Sequence, residues 1–385
     1  MYWPLQENFL DQQSINSLCN FIKKNKRLTQ FKKVKEFEKK FAKWNGSKYS
    51  VFVNSGSSAN LLIIQCAKEL YKWKNGDEVI VPAVTWPTTV TPVIQAGLKP
   101  VFVDVNLNDF SYDYKKLASA VTKKTKAIFV AHLIGIPADV VKIKKIIQNK
   151  KIQILEDCCE SQGAKISNKK IGNFGLGGSF SFYWGHHMST IEGGMITTNV
   201  KKFYDLCLLK RSHGLARELP IADQKKFKKK YFNRDFKFLF VSDGYNFRST
   251  EINAFLGIQM LKKINMWIKI RNNNYINFVK LLKRYNKIFL VPFKNKKKMS
   301  SFVLPFMIKN NKYKKNFESL LNRHGIESRP FIAGNLLKQP FLKKYKNLGF
   351  SNSNFIDTNC FYIGNNQFVN KSRLIKLEKL FKLFF

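Results

Sequence analysis

Two adjacent imidazoles, a run of carboxylates and a serine-rich turn are the parts of this chain whose residue types and spacing could do chemistry. His186 and His187 follow Gly185, and an imidazole exchanges protons near neutral pH. Glu156-Asp157-Cys158-Cys159-Glu160 follows the apolar run Ile152 to Leu155, which sets carboxylates at a strand end, where ligands of open α/β sheets bind. Asn54-Ser55-Gly56-Ser57-Ser58-Ala59-Asn60 turns directly into an apolar helix through Leu61, Leu62, Ile64 and Ala67. A small-residue turn at a helix start leaves N–H groups and the positive dipole end facing outward, a cradle for phosphate. Trp86 stands in a Pro/Thr-rich loop, Pro82 to Thr89, after another apolar run. Each cluster has a plainer alternative: solvated loop histidines, a carboxylate cap, an ordinary serine turn, a core tryptophan. Taken singly, none of them decides between the two.

Those residues need a frame. Val34, Phe37, Phe41 and Trp44 recur at helical spacing and stop at Asn45-Gly46, predicting an amphipathic helix with a glycine end. Tyr49 to Val53 reads as a buried strand. Glu78 to Val81, Pro100 to Val103, Ala127 to Ala131 and Ile152 to Leu155 are short β-branched or apolar runs separated by helix-like segments. That alternation predicts an α/β fold whose mostly parallel sheet is covered by helices. After about Asn246 the pattern changes: Glu251 to Ile270 reads as one long helix, and Phe302 to Met307 as a strand followed by helix-like stretches. The expected division is a large domain over 1–250, N-terminal helices included, and a smaller C-terminal α/β domain over 251–385. His132 and Asp104 also fall at strand ends and are read as structural.

Composition narrows the classes. With 385 residues and 44% hydrophobic content the chain can bury a large core. The formal net charge of +43 invites a nucleic-acid reading, but lysines recur along nearly the whole chain. The local runs Lys225 to Lys230 and Lys294 to Lys298 read as solvated faces, so nucleic acid is not expected as a partner. A basic surface would still attract a diphosphate-bearing substrate. No apolar run reaches membrane-spanning length and the first residues carry no export pattern, so membrane insertion is not expected and the cytoplasm is. Six scattered cysteines, without a CxxC spacing, read as reduced thiols, and no metal site is expected.

Order along the chain sharpens the reading. Ser181-Phe182, then His186, then Glu192-Gly193-Gly194 follow the spacing S-F, three residues, Lys, six positions, E-G-G, with histidine in the lysine's place. Upstream stand the Gly56 turn, Trp86 and Glu156-Asp157; downstream stand Arg211-Ser212-His213-Gly214, Gly244-Tyr245-Asn246-Phe247-Arg248-Ser249-Thr250-Glu251-Ile252 and Ser328-Arg329-Pro330. From about Leu28 to Pro340 this ordered set resembles the DegT/DnrJ/StrS sugar aminotransferases, pyridoxal-phosphate enzymes of the aspartate aminotransferase fold, fold type I. The resemblance implies cofactor contacts from Gly56, Ser57, Ser58 and Ser181 at the phosphate, Trp86 stacked on the ring and Asp157 at the pyridinium nitrogen. Glu160, where the family has glutamine, would lie near the ring hydroxyl. Asn246 would reach the cofactor of a neighbouring subunit, implying a homodimer with shared active sites, and His213 and Arg329 would touch substrate.

Histidine for lysine is the informative departure. An imidazole cannot form the Schiff base that a lysine amine forms, so the cofactor would sit unattached, most usefully as pyridoxamine phosphate, with His186 as the acid/base. His187 is read as its structural neighbour. This resembles the sugar 3-dehydratases of the family and implies C3 deoxygenation of a nucleotide-linked 4-keto-6-deoxy sugar for a surface glycan, with glutamate as amino donor. Some such dehydratases hold an iron–sulfur cluster through cysteines that include a C-x-C pair, and this chain has no such pair. Two alternatives stay open: a nucleotide-sugar aminotransferase of the same family, and a catalytically silent sensor or scaffold.

Overall fold

The computed structural model describes every residue except 1, 9, 149–150, 292–298 and 346–348. The run Lys294 to Lys298 therefore lies outside the described residues. The larger sheet contains β1 (Tyr49–Val53), β2 (Glu78–Pro82), β3 (Lys99–Val103), β4 (Thr125–Ala131), β5 (Gln153–Asp157), β6 (Gly177–Ser181) and β7 (Gly194–Thr198). Their order across the sheet is β1-β7-β6-β5-β4-β2-β3. Strands β2 to β6 pair in parallel, while β7 runs against both β6 and β1. Strands β2, β6 and β7 are buried at every position, which is why they read as apolar or small-residue runs without alternation.

The amphipathic helix Lys32–Asn45 buries Val34, Phe37 and Phe41 and ends where Gly46 takes a left-handed φ of 78°. Its start is capped from a distance: Glu251 accepts from the backbone N–H of Phe31, Lys33 and Val34 at 2.8–2.9 Å. Thus the glutamate that closes the Gly244 to Ile252 motif fastens an N-terminal helix. The long helix runs Glu251–Arg284, fourteen residues beyond the stretch expected from sequence, because Tyr275, Phe278, Leu281 and Leu282 continue a buried stripe against the C-terminal sheet.

That second sheet holds β8 (Phe289–Leu290), β9 (Val303–Ile308), β10 (Ser328–Pro330) and β11 (Cys360–Gly364), all antiparallel, in the order β8-β9-β11-β10. The N-terminus joins it. Trp3 is fully buried, bridges Ile326, and donates its indole N–H to the Gly364 carbonyl at 3.1 Å. Among the described residues no helix is long and apolar enough to cross a membrane.

Candidate active site

The carboxyl ends of β2, β4, β5 and β6 open into one cavity of about 360 Å³. Eight of the residues singled out from sequence line it: Gly56, Ser57, Trp86, Asp157, Glu160, Ser181, His186 and Arg329. Gly56 starts the helix Gly56–Leu70, whose cap is Ser55, its hydroxyl accepting from the Ser58 N–H at 3.0 Å. A side chain at Gly56 would put Cβ 2.6 Å from Ser181 Cβ, so only glycine lets the helix start approach β6 this closely. Gly194 is required for the same reason: its Cβ would lie 2.1 Å from the Ser55 carbonyl oxygen. The E-G-G turn is therefore the backing of the phosphate-type cradle. Trp86 is 54% exposed and flanks the opening, which removes the core-burial reading of that indole.

Asp157 ends β5 and is held on three sides. Its Oδ2 accepts from Asn60 Nδ2 and Thr89 Oγ1, both at 2.8 Å, and its Oδ1 from the Cys159 N–H at 3.1 Å. Its neighbour Glu156 points the other way and is structural. It accepts from the N–H groups of Gly172, Phe174 and Gly175 at 2.7–2.9 Å and faces His132 Nε2 at 3.2 Å. Burial opposes its charge, but His132 and the amides outweigh that and hold its pKa below the usual range. Because His132 Nδ1 accepts from the Ala138 N–H at 3.0 Å, the ring proton sits on Nε2 and is donated to Glu156. His132, Glu156 and Cys158 cluster at ligand spacing, yet both imidazole nitrogens and the carboxylate are already engaged, so the cluster is a buried hydrogen-bond network.

Glu160 differs. Burial first, and the charge of Asp157 second, push its pKa up to about 8 against the pull of the Ile134 N–H, which donates to it at 2.9 Å. Ile134 holds a left-handed φ of 48°, rare for a β-branched residue, as does Ile332 on the cavity wall at 54°. Glu160 thus holds its proton well above the ordinary carboxylate range.

His186 stands half-buried in the cavity wall with its Nδ1 free of any hydrogen-bond partner among the described residues. Burial drives its pKa down to about 4; Asp157 opposes the fall and Arg271 adds to it. It is therefore an unprotonated base at neutral pH, able to accept a proton. His187 is fully buried and its Nε2 lies 3.0 Å from the Ser300 carbonyl; a carbonyl only accepts, so that nitrogen carries the proton. Its role is structural, as the sequence suggested.

Three expected site residues lie off the cavity within one chain. Ser58 turns its hydroxyl to Ser55 at 2.9 Å and serves the helix cap. His213, at a left-handed φ of 61°, meets Arg248 Nη2 at 3.1 Å. Asn246 is exposed and accepts from Arg248 Nε at 3.0 Å. Sequence reasoning missed Phe302, Tyr362, Leu5 and Gln6, which complete the wall from the C-terminal sheet and the N-terminal segment. None carries a local signal, since their position depends on how the second sheet docks. Asn60 and Thr89 did carry one, each lying inside a quoted motif and four or three residues beyond Gly56 and Trp86.

An anion cradle, a fixed carboxylate, an open indole and an imidazole around one cavity fit a phosphorylated aromatic cofactor, with no lysine among the lining residues to bond it. The sequence profile of the DegT/DnrJ/EryC1/StrS aminotransferase family matches residues 10–371, and the chain belongs to that family. Within it, the chain is similar to GDP-4-keto-6-deoxy-D-mannose 3-dehydratase of Yersinia pseudotuberculosis, 38% identical over 384 residues covering 97% of this chain and 96% of that protein. Its fold is similar to that of a mutant of GDP-4-keto-6-deoxymannose-3-dehydratase (ColD) with bound GDP-perosamine, with a TM-score of 0.91 and 36% identity over 98% of this chain and 99% of that one. A structure of GDP-4-keto-6-deoxymannose-3-dehydratase with a trapped PLP-glutamate geminal diamine matches at a TM-score of 0.90, with 36% identity and the same coverage. The α/β fold of the sugar aminotransferases, expected from the sequence, is the fold observed.

Proposed function

We propose that this protein removes the C3 hydroxyl of a GDP-linked 4-keto-6-deoxy sugar, with pyridoxamine phosphate held non-covalently and glutamate restoring the amine, in the biosynthesis of a surface glycan. The observation that carries this reading is His186: an imidazole that burial keeps unprotonated at neutral pH lines the cavity where the family has lysine, and no lysine lines it. The likeness to 3-dehydratases along almost the full chain supports the sugar and the nucleotide.

When bound, the cofactor supplies an amine for the ketone and a ring that takes up an electron pair. The protein does the rest. The N–H groups around Gly56 and the hydroxyls of Ser57 and Ser181 hold the phosphate. Asp157, fixed by Asn60 and Thr89, would hold the ring nitrogen in its protonated form. His186 would be the acid/base of the site, accepting a proton at its imidazole and returning one to the departing hydroxyl. Glu160, whose pKa burial raises, would donate a hydrogen bond to the cofactor, and Trp86 would supply an aromatic face for it. Arg329 is the substrate-side cation of the cavity.

We further propose a homodimer in which Asn246 of one subunit completes the phosphate site of the other; its exposure, off the cavity of its own chain, supports this. Six free cysteines support a cytoplasmic setting. Incubation with pyridoxal phosphate, glutamate and GDP- or CDP-linked 4-keto-6-deoxy sugars should give a product lighter by one oxygen atom, with ammonia released. Nitrogen retained on the sugar would make the protein an aminotransferase instead. A cofactor spectrum unmoved by glutamate would leave only a sensor or scaffold.

A further inference from the structure

Phe302 precedes β9 and its ring covers both histidines. Its centroid lies 5.3 Å from that of His186, with the planes 20° apart, and 5.7 Å from that of His187, at 26°. The backbone that carries this ring is tied on every side. Ser300 N–H donates to the Gly135 carbonyl at 2.8 Å and Phe302 N–H to the Ile134 carbonyl at 3.1 Å. A Cβ on Gly135 would lie 1.9 Å from the Ser300 oxygen, so the two segments are in direct backbone contact. Ser301 N–H donates to Asn272 Oδ1 at 2.8 Å.

The carbonyl side is held by a buried cation. Arg271, on the long helix, is fully buried and donates Nη1 to the Phe302 carbonyl at 3.1 Å and to the Asn365 carbonyl. Among the described residues its Nε and Nη2 have no hydrogen-bond partner and no carboxylate pairs with it. Burial pulls its pKa down to about 9, which still leaves it charged at neutral pH. An unpaired interior guanidinium is costly, and a domain can replace one by an apolar residue at little loss if only packing is at stake.

We propose that Arg271 and Phe302 are positioning residues that lock the His186 ring against the cofactor cavity and seal its inner face from water. This rests on His186 being the base of the reaction proposed above. The groups that bear on His186 are Asp157, Cys159 and Glu160 from the end of β5, His187 beside it, Tyr183 and Glu192 from its own loop, Arg271 from the long helix, and Arg329 and Tyr362 across the cavity. Phe302 lines the cavity and stacks on the imidazole, so its loss lets cavity water reach that face and restores solvation of the imidazolium.

The test is a proton NMR titration of the five histidines in the cofactor-free protein, with His186 assigned from His186→Asn. Phe302→Leu should raise the His186 midpoint by about one pH unit or more toward the ordinary value. Phe302→Tyr, which keeps the ring, should retain the wild-type midpoint. In turnover, Phe302→Leu should lower kcat roughly ten- to a hundredfold with KM within about twofold, the mark of a misaligned base. In turnover Arg271→Met should copy the kcat loss of Phe302→Leu, and Arg271→Lys, which keeps the charge that acts on His186, should lie between it and wild type; if the methionine variant does not fold, the Phe302 pair decides. A Phe302→Leu protein with a wild-type His186 midpoint overturns the proposal. The titration needs no sugar, so it reads independently of whether the wild type dehydrates anything.

Discussion

Asn60 Nδ2 donates to Asp157 Oδ2 at 2.8 Å, joining residues 97 positions apart in the chain. Asn60 lies one helical turn beyond Gly56, so a single helix supplies the anion cradle at its first turn and the carboxylate's orienting donor on the same face. Asn60 is itself fixed by Ser179, whose hydroxyl donates to Asn60 Oδ1 at 2.5 Å. The two ends of the cofactor site thus share one rigid element. Asn60→Leu removes one of the two donors to Oδ2 and leaves Ser179 only its longer contact to the Glu156 carbonyl at 3.4 Å, so we expect a loss of roughly 1–3 kcal/mol in stability. Pyridoxamine phosphate should bind about tenfold more weakly, as measured by equilibrium dialysis. Asp157→Asn should keep the fold and lower turnover by at least ~10²-fold; near-wild-type turnover in that variant would remove Asp157 from the chemistry.

Glu160 makes the protein's stability depend on pH in a defined direction. Folded, it keeps its proton up to about 8; unfolded, it loses it near the ordinary 4.5. Between those values the folded state binds more protons, so stability from this group is fully present below 4.5 and declines as pH rises to 8. Glu160→Gln preserves an acceptor for the Ile134 N–H and abolishes the titration. The melting temperature of the cofactor-free variant should exceed wild type by roughly 2 °C or more at pH 8. The gap should close at pH 4.5. A difference that is constant across the range contradicts the assignment.

Much of this site is visible in the order of residues because the carboxyl ends of parallel strands sit in one row, and local patterns mark those ends well. Val79 to Val81 and Ile152 to Leu155 locate Trp86 and Asp157 without any tertiary knowledge. The helix Lys32–Asn45 is legible through its buried stripe and glycine end. The long helix is underestimated because Arg271, Asn272, Asn273 and Asn274 interrupt its apolar pattern; Arg271 and Asn274 are buried there by hydrogen bonds to the Asn365 region, a tertiary effect that no periodicity reveals. Phe302 and Tyr362 are invisible for a related cause. Their strands read as ordinary core, and only the docking of the second sheet brings them to the cavity.

Gly194 offers a test of the cradle that avoids every titrating group. An added Cβ meets the Ser55 carbonyl at 2.1 Å and the Gly56 nitrogen at 2.7 Å, both backbone atoms that cannot swing away. Gly194→Ala must therefore displace the start of the helix Gly56–Leu70 or part β7 from it. We expect at least about tenfold weaker binding of both pyridoxal phosphate and inorganic phosphate. Binding of pyridoxal without its phosphate should change much less. Equal losses for pyridoxal and pyridoxal phosphate point to a general folding defect instead.

The shared-site proposal can be decided by mixing two inactive proteins. His186→Asn removes the base and should lower dehydration by ~10²–10⁴-fold while leaving cofactor affinity nearly unchanged. Asn246→Asp sets a negative charge where a neutral amide would meet phosphate, and should weaken cofactor binding instead. If each site takes His186 from one subunit and Asn246 from the other, a hybrid of the two variants holds one site with both residues intact and one with neither. Random re-pairing of equal amounts after mild denaturation makes half the dimers hybrids, so about a quarter of wild-type activity should return. Sites built from a single chain would stay inactive in every pairing, because each chain carries one lesion. Recovered activity in the mixed sample, and none in either variant refolded alone, is the result that makes Asn246 a residue of its partner's site.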